Sequence, residues 1–102
     1  MQEMLESLKI YLNITYDDPA TDRMLCEALE RGKNILNDYG GTELDYGEEG
    51  LQRQLLFDYC RYARSHAAEM FEKNFRHDLI ALREMAEVKM YADQKRAALS
   101  DL

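Results

Sequence analysis

The side chains best suited to chemistry are His66, Glu69 and His77, whose spacings of three and eleven residues would bring them near one face of an unbroken helix. Two imidazoles and a carboxylate could hold three corners of a zinc site. A turn is expected between Glu69 and His77, however, and His66 falls in the middle of an apolar arc, where a hydrogen-bonded core histidine is the commoner outcome. No metal site is therefore expected. The paired acids Asp17-Asp18 and Glu48-Glu49 could act as catalytic carboxylates if buried together, but each stands where a helix is expected to start and is read as part of that start. Cys26 and Cys60 are too few for a disulfide framework, and each lies within a helical pattern, so both are read as buried free thiols. The chain has no glycine-rich phosphate loop, no HExxH and no CxxC. It is read as a protein without enzymatic activity and without a cofactor.

What remains is surface. Arg53, Arg61 and Arg64 share the face of one helix just beyond its apolar arc, with Phe57 between them, and a basic patch around an exposed aromatic suits an interface. The plainer alternative is a solvated face with one stray Phe. The opposite charge is gathered in residues 40–50, GGTELDYGEEG, which hold four of the five glycines and the acids Glu43, Asp45, Glu48 and Glu49. With Leu44 and Tyr46 as its only sizeable apolar groups, this segment is read as a solvated, mobile connection or as one that orders against a neighbouring subunit.

The net charge of −7 over 102 residues is unevenly placed: residues 1–50 carry 12 acids against 4 bases, and residues 51–102 carry 8 against 9. An acidic chain gains nothing from counterion release on DNA, so sequence-specific nucleic-acid binding is not expected. No apolar run approaches the ~20 residues that cross a bilayer, so a membrane is not expected as a partner. Met1-Gln2-Glu3 opens an amphipathic pattern rather than a signal peptide, which points to a reducing cytoplasm in which the sequon Asn13-Ile14-Thr15 is accidental.

The elements that must position these residues are helices. One Pro and five Gly, against abundant Ala, Leu, Glu, Lys, Arg, Met and Gln, predict a single all-α domain over residues 1–102. It is expected as a compact four-helix domain with helices near residues 2–12, 19–39, 49–73 and 77–97. Met4, Leu5, Leu8, Tyr11 and Leu12 recur at helical spacing until Asn13. Asp18 and Pro19 then form a strong start signal, with Asp22 favourable in the first turn, and Gly40-Gly41 predict a left-handed stop. Gly32, on the apolar face of that second helix, predicts a close approach by another helix.

The long third helix is the expected centre. Leu51, Leu55, Leu56, Tyr59, Cys60, Tyr62, Ala63, Ala67, Met70 and Phe71 fill an arc of about 200°, wide enough to be contacted from two sides. A turn at Lys73–Asp78, with Asn74 as stop and Asp78 as cap, would fold the fourth helix back antiparallel on it through Leu79, Leu82, Ala86 and Met90.

The run Leu8-Lys9-x-Tyr11-Leu12-x-Ile14, then Asp17-Asp18, Asp22, Leu25, Ala28-Leu29 and Ile35-Leu36-Asn37-Asp38-Tyr39-Gly40-Gly41, resembles the head-tail connector (adaptor) proteins of tailed bacteriophages. Phe71-Glu72-Lys73-Asn74-Phe75-x-His77-Asp78-Leu79-Ile80-Ala81-Leu82-Arg83 is similar to a later segment of the same family. The chain departs from that pattern at its glycine-rich 40–50 loop and at Gly32, where Ala is more usual. The resemblance implies a structural virion protein that assembles in the host cytoplasm as a ring below the portal, joins capsid to tail around the DNA channel, and meets the portal protein and a tail-side completion protein. On that reading Glu43, Asp45, Tyr46, Glu48 and Glu49 of one copy would face Arg53, Phe57, Arg61 and Arg64 of the next. The alternative is a small helical interaction or regulatory module of prophage origin, also without catalysis.

Overall fold

The computed structural model describes residues 2–100; Met1, Asp101 and Leu102 lie outside them. The described residues form helices and connections only, in the order α1 (Gln2–Tyr11), α2 (Pro19–Gly40), α3 (Leu51–Arg64), a 3-10 turn (Ala68–Met70), α4 (Phe71–Asn74) and α5 (Arg76–Ser100). None of these helices is long and apolar enough to cross a membrane.

Local signals end the first two helices where expected. Asn13 takes a left-handed conformation (φ 60°), and Ile14 N–H reaches back to the Lys9 carbonyl at 2.9 Å while Asn13 N–H reaches that of Ile10 at 3.1 Å. This pair of bonds satisfies the orphan carbonyls of α1 and turns Ile14 inward, where it is buried. Asp18 then caps α2: its carboxylate accepts from the Thr21 hydroxyl at 2.8 Å and from Ala20 N–H at 3.3 Å, which lowers its pKa. At the far end Gly41 (φ 73°) donates to the Asn37 carbonyl at 2.8 Å.

Helices α2 and α3 meet at Gly32. A Cβ there would sit 2.7 Å from Leu56 Cδ1 and 2.9 Å from Tyr59 Cδ2, so the bare backbone is what admits α3. Along α3 the six consecutive residues Leu55–Cys60 are all buried, because α2, α1 and the segment after the 3-10 turn enclose it.

The third helix is shorter than its apolar arc predicts. It stops at Arg64, and His66 adopts φ 58°, with His66 N–H bonded to the Ala63 carbonyl (3.1 Å) and Ala67 N–H to that of Tyr62 (2.9 Å). The chain therefore reverses at Ser65–Ala67, not at Lys73–Asp78. A second break falls within the expected turn: α4 ends at Asn74, Phe75 leaves helical geometry (φ −111°, ψ 23°), and α5 begins at Arg76, with Phe75 N–H donating to the Phe71 carbonyl and Leu79 N–H to that of Phe75, both at 2.9 Å. Asn74 does end α4, as expected, and its side chain also donates to the Tyr62 hydroxyl at 3.0 Å; Asp78 lies within the first turn of α5 and not at its cap.

The early reversal re-sorts the expected core. Met70 is 41% exposed, whereas Phe71 is fully buried against Tyr59 (ring centroids 5.3 Å, edge-on) and stacks on Phe75 at 4.9 Å. His66 is exposed at the corner instead of lying in a core. After the corner α5 packs chiefly on α2 and less on α3, using the expected stripe of Leu79, Leu82 and Ala86. Helix α2, contacted by α1, α3 and α5, shares the centre with α3, which is the more fully buried of the two.

Candidate functional site

The residues expected to form a surface lie at the two ends of α3. At its start the 41–50 segment is pinned to its own chain. Tyr46 is buried, and its hydroxyl donates to Asn37 Oδ1 at 2.7 Å; the same oxygen accepts Leu44 N–H at 3.1 Å. Burial raises the Tyr46 pKa. Gln52 Nε2 donates to the carbonyls of Asp45 (2.8 Å) and Glu48 (3.1 Å), and Arg53 donates to that of Tyr46 (2.8 Å). The expectation of a mobile connection, or of one awaiting a neighbour, gives way to a segment ordered by a buried tyrosine and three backbone clamps. Its acids nevertheless point outward: Glu43, Asp45, Glu48 and Glu49 are all exposed. They do not cap α3, whose N-cap is Gly50. Together with Met85, Lys89 and Asp93 of α5 they border an open cleft of about 410 Å³.

The basic residues do not form one free patch. Arg53 is half-buried, paired with Glu49 at 3.8 Å and stacked over the Phe57 ring at 4.9 Å. Phe57 itself is buried, its ring 5.7 Å from that of Tyr11, so it is not the exposed aromatic that its place on the wheel suggested. Arg61 is exposed and donates to the Tyr11 hydroxyl at 3.3 Å, beside Asp58 at 3.6 Å. Arg64 is half-buried and donates to the Tyr16 hydroxyl at 3.1 Å. About eleven residues of helix, roughly 16 Å, separate Arg53 from Arg64, so the acidic start and the basic end of α3 stand apart.

Two polar features escaped the sequence reading. Asp58 is buried and accepts from the Tyr11 hydroxyl at 2.5 Å and from Gln54 Nε2 at 3.3 and 3.4 Å. Burial and then the Asp58 bond raise the Tyr11 pKa, with Arg61 opposing. Lys9, also buried, pairs with Asp22 at 3.1 Å and Asp17 at 3.5 Å, tying α1 to the start of α2. Its hydrogen bond to Asp22 raises its pKa. Asp58 has a local sign in the Gln54 and Arg61 that flank it at helical spacing. Lys9 has none, since its partners lie beyond a turn.

Among the described residues no group of three or more His, Cys, Asp or Glu side chains is placed to hold a metal ion. Cys60 is fully buried and its thiol is pushed up to about 12 by that burial, while Cys26 is half-buried. No protein-family model, curated protein or solved structure matches the chain.

Proposed function

We propose that this chain is a structural component of a tailed-phage virion, a head-tail connector that joins a ring below the portal through charge-complementary, head-to-tail contacts. The observation that carries this reading is the disposition of charge along α3: an ordered rim of exposed acids at its start and the cations Arg61 and Arg64 at its end. A contact between unlike ends of neighbouring copies is the kind that closes rings. The helical resemblance over residues 8–41 and 71–83 supplies the context. Portal protein and tail-side completion protein are the partners it implies, and the virion, after assembly in the host cytoplasm, is the location.

A second reading, a small helical interaction module of prophage origin, draws support from the exposed apolar residues Ile80, Val88, Tyr91 and Leu99 of α5. Co-sedimentation with assembled portal particles across a salt series distinguishes the two. The wild-type chain should co-sediment, less so as salt rises, because rim charges are screened over about 8 Å at physiological ionic strength. Glu43→Lys with Glu48→Lys should abolish incorporation and leave helicity unchanged, since both side chains are exposed and make no contact within the chain that the change would break. No incorporation of the wild type at any salt would overturn the connector reading.

A further inference from the structure

Helix α5 has two apolar faces, and its own chain covers only one. The covered stripe is Leu79, Leu82, Ala86 and Met90. Roughly 165° around the helix lies a second set: Ile80 (53% exposed), Val88 (69%), Tyr91 (67%) and Leu99 (62%). Every residue from Tyr91 to Ser100 is exposed. Consistent with a helix reaching beyond the body, the chain measures 54 × 29 × 17 Å and has a radius of gyration of 15.5 Å, against about 13 Å for a compact domain of this size.

The midline of this second face is Ala81, Glu84, Val88, Tyr91, Lys95 and Ala98, alternating steps of three and four as in the seam of a two-stranded coil. The two charged members decide what can cover it. Laid against itself in parallel and in register, the seam would set Glu84 on Glu84 and Lys95 on Lys95. Laid antiparallel about a two-fold axis between Lys89 and Met90, it sets Glu84 against Lys95, Val88 against Tyr91 and Ala81 against Ala98, and each pair occurs twice. Within the chain, among the described residues, neither Glu84 nor Lys95 is engaged in an ion pair, although Arg83 pairs with Glu87 and Arg96 with Asp93.

We infer that the outer face of α5 is a docking surface for a second copy of this chain, forming an antiparallel, two-fold pair centred on Val88 and Tyr91 and held in register by two Glu84–Lys95 contacts. Charge complementarity of the seam with its own reverse, and its lack of complementarity with itself in parallel, single out this occupant. The seam spans about 26 Å from Ala81 to Ala98. The seam lies about 130° around α5 from Met85, Lys89 and Asp93, which border the acidic cleft beside the start of α3.

The test is sedimentation velocity of the full chain from micromolar to millimolar concentration, with circular dichroism to confirm that each variant keeps its helicity. The wild type should show a monomer–dimer equilibrium. Glu84→Lys alone, or Lys95→Glu alone, turns both attractions into repulsions and should weaken dimerisation roughly tenfold to thirtyfold. The double variant Glu84→Lys with Lys95→Glu should regain the wild-type constant, and an equimolar mixture of the two single variants should form heterodimers that neither forms with itself. Val88→Glu should abolish dimers. A wild type that stays monomeric throughout overturns the inference. So does a dimer indifferent to Val88→Glu, or a double variant as weak as the singles.

Discussion

Replacing His66 by Gly separates, by the sign of its effect, a chain that turns at residue 66 from one that continues as a helix to residue 73. In the structure His66 is exposed and holds φ 58°, where an L side chain crowds the following carbonyl at a cost of about 1–2 kcal/mol. Glycine removes that cost and keeps both capping bonds, which are made by the backbone of His66 and Ala67. Against this gain stands the greater freedom of glycine in the unfolded chain, about 0.4–1 kcal/mol. The net is a stabilisation of about 0.5 kcal/mol, or a rise in Tm of roughly 2–4 °C for a domain of this length. Were residues 49–73 one helix, the same substitution would put glycine mid-helix and destabilise by roughly 0.4 kcal/mol, the difference between Gly and His in helix propensity. Urea titrations of both proteins at equal m-value resolve the difference. A loss of stability in His66→Gly would refute the corner and, with it, the placement of α4 and α5.

Phe71→Ala should cost roughly 3–5 kcal/mol, because a fully buried ring and its edge contact with Tyr59 are lost, whereas Met70→Ala, at a side chain 41% exposed, should cost less than about 1 kcal/mol. Equal losses in a denaturant titration would restore the unbroken arc. Cys60, with its thiol pushed up to about 12, should resist a thiol reagent at pH 8 in the native protein while Cys26 reacts; labelling of both at one rate would contradict the burial. The raised values of Cys60, Tyr11, Tyr39 and Tyr46 also set the sign of the alkaline limb. Each group binds its proton more tightly in the folded chain, so the stability it contributes is intact below its unfolded pKa, about 9 for the thiol and 10 for the phenols, and is lost as pH rises toward the folded value. The urea midpoint should therefore hold to about pH 9 and fall above it, and a midpoint that rises between pH 9 and 11 would contradict the direction of these shifts.

Local rules determined a large part of this molecule. The Asp18-Pro19 start, the Gly40-Gly41 stop and the Asn13 break follow from backbone sterics or from one side chain reaching its nearest amides, interactions that span a few residues, whereas Gly32 marks a close approach without naming its distant partners Leu56 and Tyr59. The all-helical class follows from propensities summed along the chain. The corner at His66 does not follow, because Met70 and Phe71 occupy adjacent places on one wheel and a continuous helix accommodates both. What breaks the tie is packing: Phe71 and Phe75 reach Tyr59 and Tyr62 only if the chain turns first. The fate of the basic face is equally nonlocal. Arg61 and Arg64 find hydroxyls of Tyr11 and Tyr16 some fifty positions away, and Asp58 is joined to Tyr11 across 47. Nor does periodicity say which side of α5 is core, since apolar residues lie on opposite faces and offset each other in any one-dimensional pattern. Only the position of α2 assigns Leu79, Leu82 and Ala86 to the interior and leaves Ile80, Val88 and Tyr91 in water.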